Sequence, residues 1–168
     1  MIQYHDEVAP GLMWPLISIE LKGERDTMAE AILQNTHTGA VMVSNLLQLK
    51  QRAGLELPYG HANVFTISMD KVAIDISAHW AVLNDRGDTE YLHKTVHRWL
   101  VGYASLETFT EAQRAVRNSI ETHLEAMLPA IISDLEQVRA RDLLAKAEPE
   151  GGERGAVSLH DHSSVLRY

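Results

Sequence analysis

Between Thr27 and Gly54 the chain spells out both ends of one long helix. Thr27 and Glu30 form a T-x-x-E capping box, in which each side chain answers a backbone N–H that the first turn leaves unpaired. Gly54 follows the basic stretch Lys50-Gln51-Arg52, the expected signature of a left-handed C-terminal cap. Between the two ends Ala29, Ile32, Leu33, Ala40, Val43 and Leu47 recur at helical spacing and predict a buried stripe. A helix with one apolar side needs a partner layer, and the flanking sequence supplies strands.

Before the helix the pattern predicts a β-hairpin. Met1 to Val8 alternates weakly, Pro10-Gly11 provides turn chemistry, and Trp14 to Lys22 reads as a strand. In that strand Ile17, Ile19 and Leu21 share one face, while Leu16, Ser18, Glu20 and Lys22 share the other. After the helix come Asn63–Met69 and Val72–Leu83, rich in β-branched residues and joined through Asp70-Lys71. The polar run Asn84–Asp88 then leads into a strand from Thr89 to Trp99, completing an antiparallel meander.

A second long helix is predicted from Thr110, capped with Gln113, to about Ala147. Val116, Ile120, Leu124, Met127, Ile131, Leu135 and Val138 give it an apolar face, and Pro129 should kink or divide it. Residues 1–147 are thus expected to form one α/β domain of the α+β type. Its mixed, largely antiparallel sheet is flanked by two long helices. The Pro-Glu-Gly-Gly-Glu-Arg-Gly segment opens a flexible tail spanning residues 148–168.

At 168 residues there is room for one sizeable core. With no cysteine, disulfides, thiolate metal sites and thiol catalysis are excluded. The first residues lack a basic start and apolar run, and no stretch approaches the roughly 18 apolar residues of a membrane span. The expectation is a soluble intracellular protein, cytoplasmic or nuclear, with no membrane partner. A net charge of −8 counts against nucleic acid held by overall field, since phosphate binding is driven by Lys and Arg releasing counterions. A bound dication would supply positive charge locally.

Chemistry is suggested by Glu20 and Lys22. Two residues apart on a strand, they leave the same face roughly 7 Å apart at the backbone. A carboxylate there can hold Mg²⁺ while an ammonium stabilises developing oxyanion charge, which is what phosphodiester hydrolysis needs. Asp6, on the preceding predicted strand, is the best candidate for a second carboxylate, with Glu7 next.

The block Pro15–Gly23 containing Glu20-Leu21-Lys22, followed by a helix carrying Gln34-Asn35, resembles the E-x-K strand and next helix of PD-(D/E)XK nuclease-like proteins. It is most similar to a large, mostly uncharacterised fungal branch of that superfamily. Val64 to Trp80, the strand ending at Trp99 and the stretch from Leu106 to Leu128 resemble that branch's later strands and closing helix. The resemblance implies a restriction-endonuclease-like fold and Mg-dependent endonuclease-like hydrolysis of nucleic acid. It implies Asp6 and Glu20 as metal ligands, Lys22 as the catalytic lysine and Gln34 as an accessory polar residue. The chain departs from the pattern in having His5-Asp6-Glu7 where the family has Pro-Asp, and in opening almost at the first strand, where the family has a leading helix. On a helical wheel Gln34 falls about 160° from the centre of the apolar stripe, toward solvent, and Asn35 nearer its border.

Other motifs have plainer readings. His93 and His97, four apart, should share a strand face. His160-Asp161-His162 falls in the tail, and His79 beside Trp80 reads as a hydrogen-bonded core histidine open to general-base tuning. Arg86-Gly87-Asp88 is a hairpin turn, and no serine has a nucleophile elbow around it. Beside the nuclease-like hydrolase stand two alternatives on the same scaffold with altered chemistry. One is a small-molecule metabolic enzyme using His79, His93 or His97; the other is a binding or effector-like interaction module.

Overall fold

The computed structural model describes residues 17–23, 26–102 and 104–147. The predicted Met1–Val8 strand, the Pro10-Gly11 turn, Asp6, Glu7, the tail from residue 148 and its His160-Asp161-His162 cluster lie outside the described residues. In chain order the elements are β1 (Ile17–Leu21), α1 (Met28–Ala53), β2 (Val64–Met69), β3 (Ala73–Leu83), β4 (Thr89–Leu100) and α2 (Leu106–Ala147). The strands form one mixed sheet in the order β1-β2-β3-β4. β1 runs parallel to β2 across the α1 crossover, whereas β2, β3 and β4 pair antiparallel.

Local chemistry sets the turns and caps. Thr27 and Glu30 make the reciprocal capping box, and Gly54 closes α1 in the left-handed region at φ 70°. At Gly54 a side chain would also overlap the Arg141 guanidinium. Asp70 Oδ1 accepts from Val72 and Ala73 N–H, both at 2.7 Å, and Asn84 Oδ1 accepts from Arg86 and Asp88 N–H at 2.9 Å. These two carboxamide or carboxylate caps fold the β2–β3 and β3–β4 hairpins.

The two sheet faces differ in chemistry. Ile67, Ile74 and Ile76 point to α2 and pack with Ala112, while Val116 and Ile120 seal the margin. The opposite face, under α1, is polar at one end, where Thr66, Ser68, Asp75 and His79 are all buried. Only its other end is apolar, where Val64 and Ala81 meet Met42, Val43 and Leu47. A 42-residue α2 is roughly 63 Å long. Its C-terminal half passes beyond the sheet to set Ile131 and Val138 against Leu49 and Ala53 of α1. Lys50 and Asp134 pair at 2.7 Å across that junction.

Several expectations are corrected. The N-terminal half of α1 buries Ala31, Asn35 and Gly39, while Leu33 is 70% exposed. A polar sheet face accepts small and hydrogen-bonding residues, and the apolar stripe read from sequence turns partly outward. α2 starts at Leu106, with Ser105 Oγ accepting the Thr108 N–H, and Thr110 instead donates to the Leu106 carbonyl inside the helix. The helix continues unbroken through Pro129, which lies on its exposed side. Leu124 and Leu135, expected in the core, are exposed. His93 and His97 do not share a face: β4 takes an extra residue opposite Ile76/Ser77, which reverses the alternation.

Candidate active site

Glu20 and Lys22 lie at the C-terminal end of β1, beside the first turns of α1. The Lys22 backbone N–H donates to the Met69 carbonyl at 2.9 Å, so β1–β2 pairing continues one residue past the strand and fixes the lysine's origin. Both side chains leave the α1 side of the sheet, as alternation requires. The Lys22 ammonium stands 3.0 Å from Glu20 Oε1 and donates to Gln34 Oε1 at 2.7 Å. Its side chain is 9% exposed and that of Glu20 33%, so the carboxylate is the more accessible group. The hydrogen bond to Glu20 raises the Lys22 pKa, keeping the ammonium charged.

Gln34 therefore meets Lys22, although the stripe read from sequence set it toward solvent. The side of α1 that faces the sheet carries Ala31, Asn35 and Gly39, and Gln34 lies at its margin, where Lys22 donates to it. Asn35, next in sequence, is 2% exposed and points the other way. Its Nδ2 donates to the Ile67 carbonyl at 2.9 Å and Ser68 Oγ at 2.8 Å, while Oδ1 accepts from Ser18 Oγ at 3.1 Å. One side chain thus clamps β1 to β2 at the register where Glu20 lies opposite Ser68.

The sequence reading did not single out Asp75. It is fully buried on β3, and both carboxylate oxygens accept from Arg98 of β4, Oδ1 from Nε at 2.7 Å and Oδ2 from Nη2. A lone aspartate between Ile74 and Ile76 was the available signal. His79 is also buried and bonds Thr66 Oγ1 at 2.8 Å through Nε2, with its ring stacked on His93. Burial, then the neighbouring His93, lowers its pKa to about 4. Among the described residues no three carboxylate or histidine side chains converge as a metal-binding group. Of the two expected ligands the described residues include Glu20 alone.

A family model described as a domain of unknown function, DUF7924, matches residues 6–135. The chain belongs to the DUF7924 family. The match takes in all four strands, α1 and α2 as far as Leu135, so Glu20, Lys22, Gln34, Asn35 and the Asp75–Arg98 pair are all DUF7924 positions. No curated protein and no solved structure matches this DUF7924 chain. No helix among its described residues is long and apolar enough to cross a membrane.

Proposed function

We propose that this DUF7924 protein is a divergent PD-(D/E)XK nuclease-like hydrolase with a restriction-endonuclease-like core, acting on the phosphodiester bonds of nucleic acid with Mg²⁺. The observation that carries the reading is the convergence of Glu20, Lys22 and Gln34 within 3.0 Å contacts at one strand end. Mg²⁺ takes hard oxygen ligands and commonly uses one or two carboxylates with water filling the rest. Glu20 fits that donor chemistry, and Asp6 would be the second ligand. When bound, the ion would neutralise phosphate charge and lower the pKa of a water.

The chain's own groups have separable tasks. Glu20 offers an oxygen donor that is one-third exposed, and Lys22 holds a proton-bearing ammonium close to it. In hydrolysis water adds to phosphorus, one P–O ester bond breaks and the leaving oxygen takes a proton, giving a phosphomonoester and an alcohol. The Lys22 ammonium is suited to stabilise the oxyanion charge that grows on the phosphoryl oxygens. Gln34 orients it by accepting one of its N–H groups.

A second reading, an interaction module on the same scaffold, draws on Leu124, Leu128, Ile132 and Leu135, all exposed along α2. A small-molecule enzyme has less support. The cleft of about 430 Å³ between α2 and the sheet, lined by Met69, Ile74, Phe109 and Arg117 among others, opens on the sheet face opposite Glu20.

Calorimetric titration of Mg²⁺ and Mn²⁺ into wild type and Glu20→Ala tests the proposal. Binding in wild type that vanishes in the variant supports a metal site and warrants hydrolysis assays on DNA and RNA. Binding in neither protein retires the hydrolase and leaves the interaction module.

A further inference from the structure

Where α2 passes beyond the sheet it buries Ile131 and Val138 against α1. On the neighbouring flank Leu124, Leu128, Ile132 and Leu135 are 38%, 48%, 50% and 40% exposed. At about 100° per residue these four lie within about 40° of Leu128, so they make one continuous row. A single exposed leucine needs no explanation, but a row of four marks a surface that another surface covers.

The row continues in both directions as charge. Arg117 and Glu121 precede it, Arg139 and Asp142 follow it, and all four are exposed and within about 40° of Leu128 on the same wheel. Arg117, Glu121 and Arg139 form no ion pair among the described residues, and Asp142 has only an exposed contact with Arg52 at 3.4 Å. Read along the helix, the order is basic, acidic, four apolar residues, basic, acidic.

Turned end for end, that order complements itself. A two-fold axis passing between Leu128 and Ile132 sets Leu128 against the partner's Ile132 and Leu124 against the partner's Leu135. The same operation sets Glu121 against the partner's Arg139 and Arg117 against the partner's Asp142, and symmetry makes every contact twice. Parallel pairing would instead place each charge on its own copy, which repels. Glu125 and Glu136 lie about 60° and 80° from Leu128, on the rim of the contact. The next positions outward, Arg114 and Lys146, are both basic, so the match ends at residues 117 and 142, about 39 Å of helix.

We propose that this flank of α2 is a homodimer interface, in which two copies pack antiparallel through Leu124, Leu128, Ile132 and Leu135, with the Glu121–Arg139 and Arg117–Asp142 pairs at its ends. A second copy is the occupant because one surface carries both halves of every pair. The inference rests on α2 alone and is independent of the hydrolase reading, since α2 packs on the sheet face opposite Glu20 and Lys22.

Sedimentation of the full chain tests it. Wild type should reach twice the 18.8 kDa of one chain as its concentration rises through the micromolar range. Leu128→Ser, at a surface position, should stay folded by circular dichroism and raise the dimer dissociation constant roughly a hundredfold. Glu121→Arg and Arg139→Glu should each weaken the dimer roughly tenfold, because each brings like charges together twice. Combined in one chain they should return it to within about threefold of wild type, since each reversed charge again meets its opposite. The chain has no cysteine, so orientation is read by oxidising an equimolar mixture of Leu124→Cys and Leu135→Cys chains. The mixed disulfide should form in preference to either symmetric one. A monomeric wild type, or a dimer that Leu128→Ser leaves intact, would overturn the interface. So would a monomer whose unfolding midpoint falls in Leu128→Ser, because the row is then covered by the chain's own residues. Charge reversals that do not restore each other, or symmetric disulfides, would overturn the antiparallel pairing. Mg²⁺ binding that depends on Glu20 is expected whichever of these results is obtained, so the two proposals fail separately.

Discussion

Asn35 determines more of the site's geometry than Gln34 does, although only Gln34 touches Lys22. Its three hydrogen bonds tie α1 to both strands that flank the Glu20 register. Asn35→Ala would leave the Ile67 carbonyl and the Ser68 hydroxyl short of a donor in a dry setting, a loss of about 2–3 kcal/mol. Urea unfolding should show a lower midpoint with an unchanged slope. His79 sets a second residue-scale expectation. Its pKa is near 6.5 in an unfolded chain and about 4 in the fold, where burial and then His93 oppose its charge. Above pH 6.5 both states are neutral at this site. As pH falls from 6.5 to 4 the unfolded chain takes up the proton first, so His79 contributes a loss of stability through that window and none beyond it. Urea midpoints at pH 7 and pH 4.5 should differ less in His79→Gln than in wild type. Gly39 makes this packing feasible, since a side chain there would overlap the His79 ring.

Among the elements, the caps were the most legible. Thr27, Glu30, Gly54, Asp70 and Asn84 act on backbone groups within a few residues, so sequence neighbours decide their roles. The faces of the helices were less legible, because the partner surface selects the buried side. α1 covers a polar patch of sheet and accordingly buries Asn35 and Gly39 in place of Ile32 and Leu33. The junction of α1 and α2 gives a testable pair. Asp134 is nearly buried, and Lys50 is 2.7 Å from it. Lys50→Met should destabilise by about 3–5 kcal/mol because a buried carboxylate loses its counter-charge. Adding Asp134→Leu should recover most of that loss, which a double-mutant cycle by chemical denaturation measures directly. A small recovery would show that Asp134 has another role at the junction.

For the whole molecule the metal is the sharpest handle. A ligand that binds only the folded state stabilises it by about 1.4 kcal/mol at ten times its dissociation constant. Thermal unfolding in Mg²⁺ should therefore shift upward by a few degrees in wild type and not in Glu20→Ala. An equal shift in both would place any bound ion elsewhere. The charge balance has the same molecular reach. A chain of net −8 predicts weak attraction for nucleic acid held by overall charge, so a dication at Glu20 would have to supply the positive charge locally.

Over the described residues, sequence alone determined the order of the elements, the β2–β3 and β3–β4 turns, both ends of α1 and the alternation that puts Glu20 and Lys22 on one side of β1. Each depends on spacing or on contacts between near neighbours. Tertiary structure decided which side of each helix is buried, because that follows the chemistry of the facing sheet. It also decided that Gln34 meets Lys22, that an extra residue in β4 separates His93 from His97, and that Asp75 holds Arg98. Those contacts join residues 12 or more positions apart, and only pairing between strands or packing between layers brings them together.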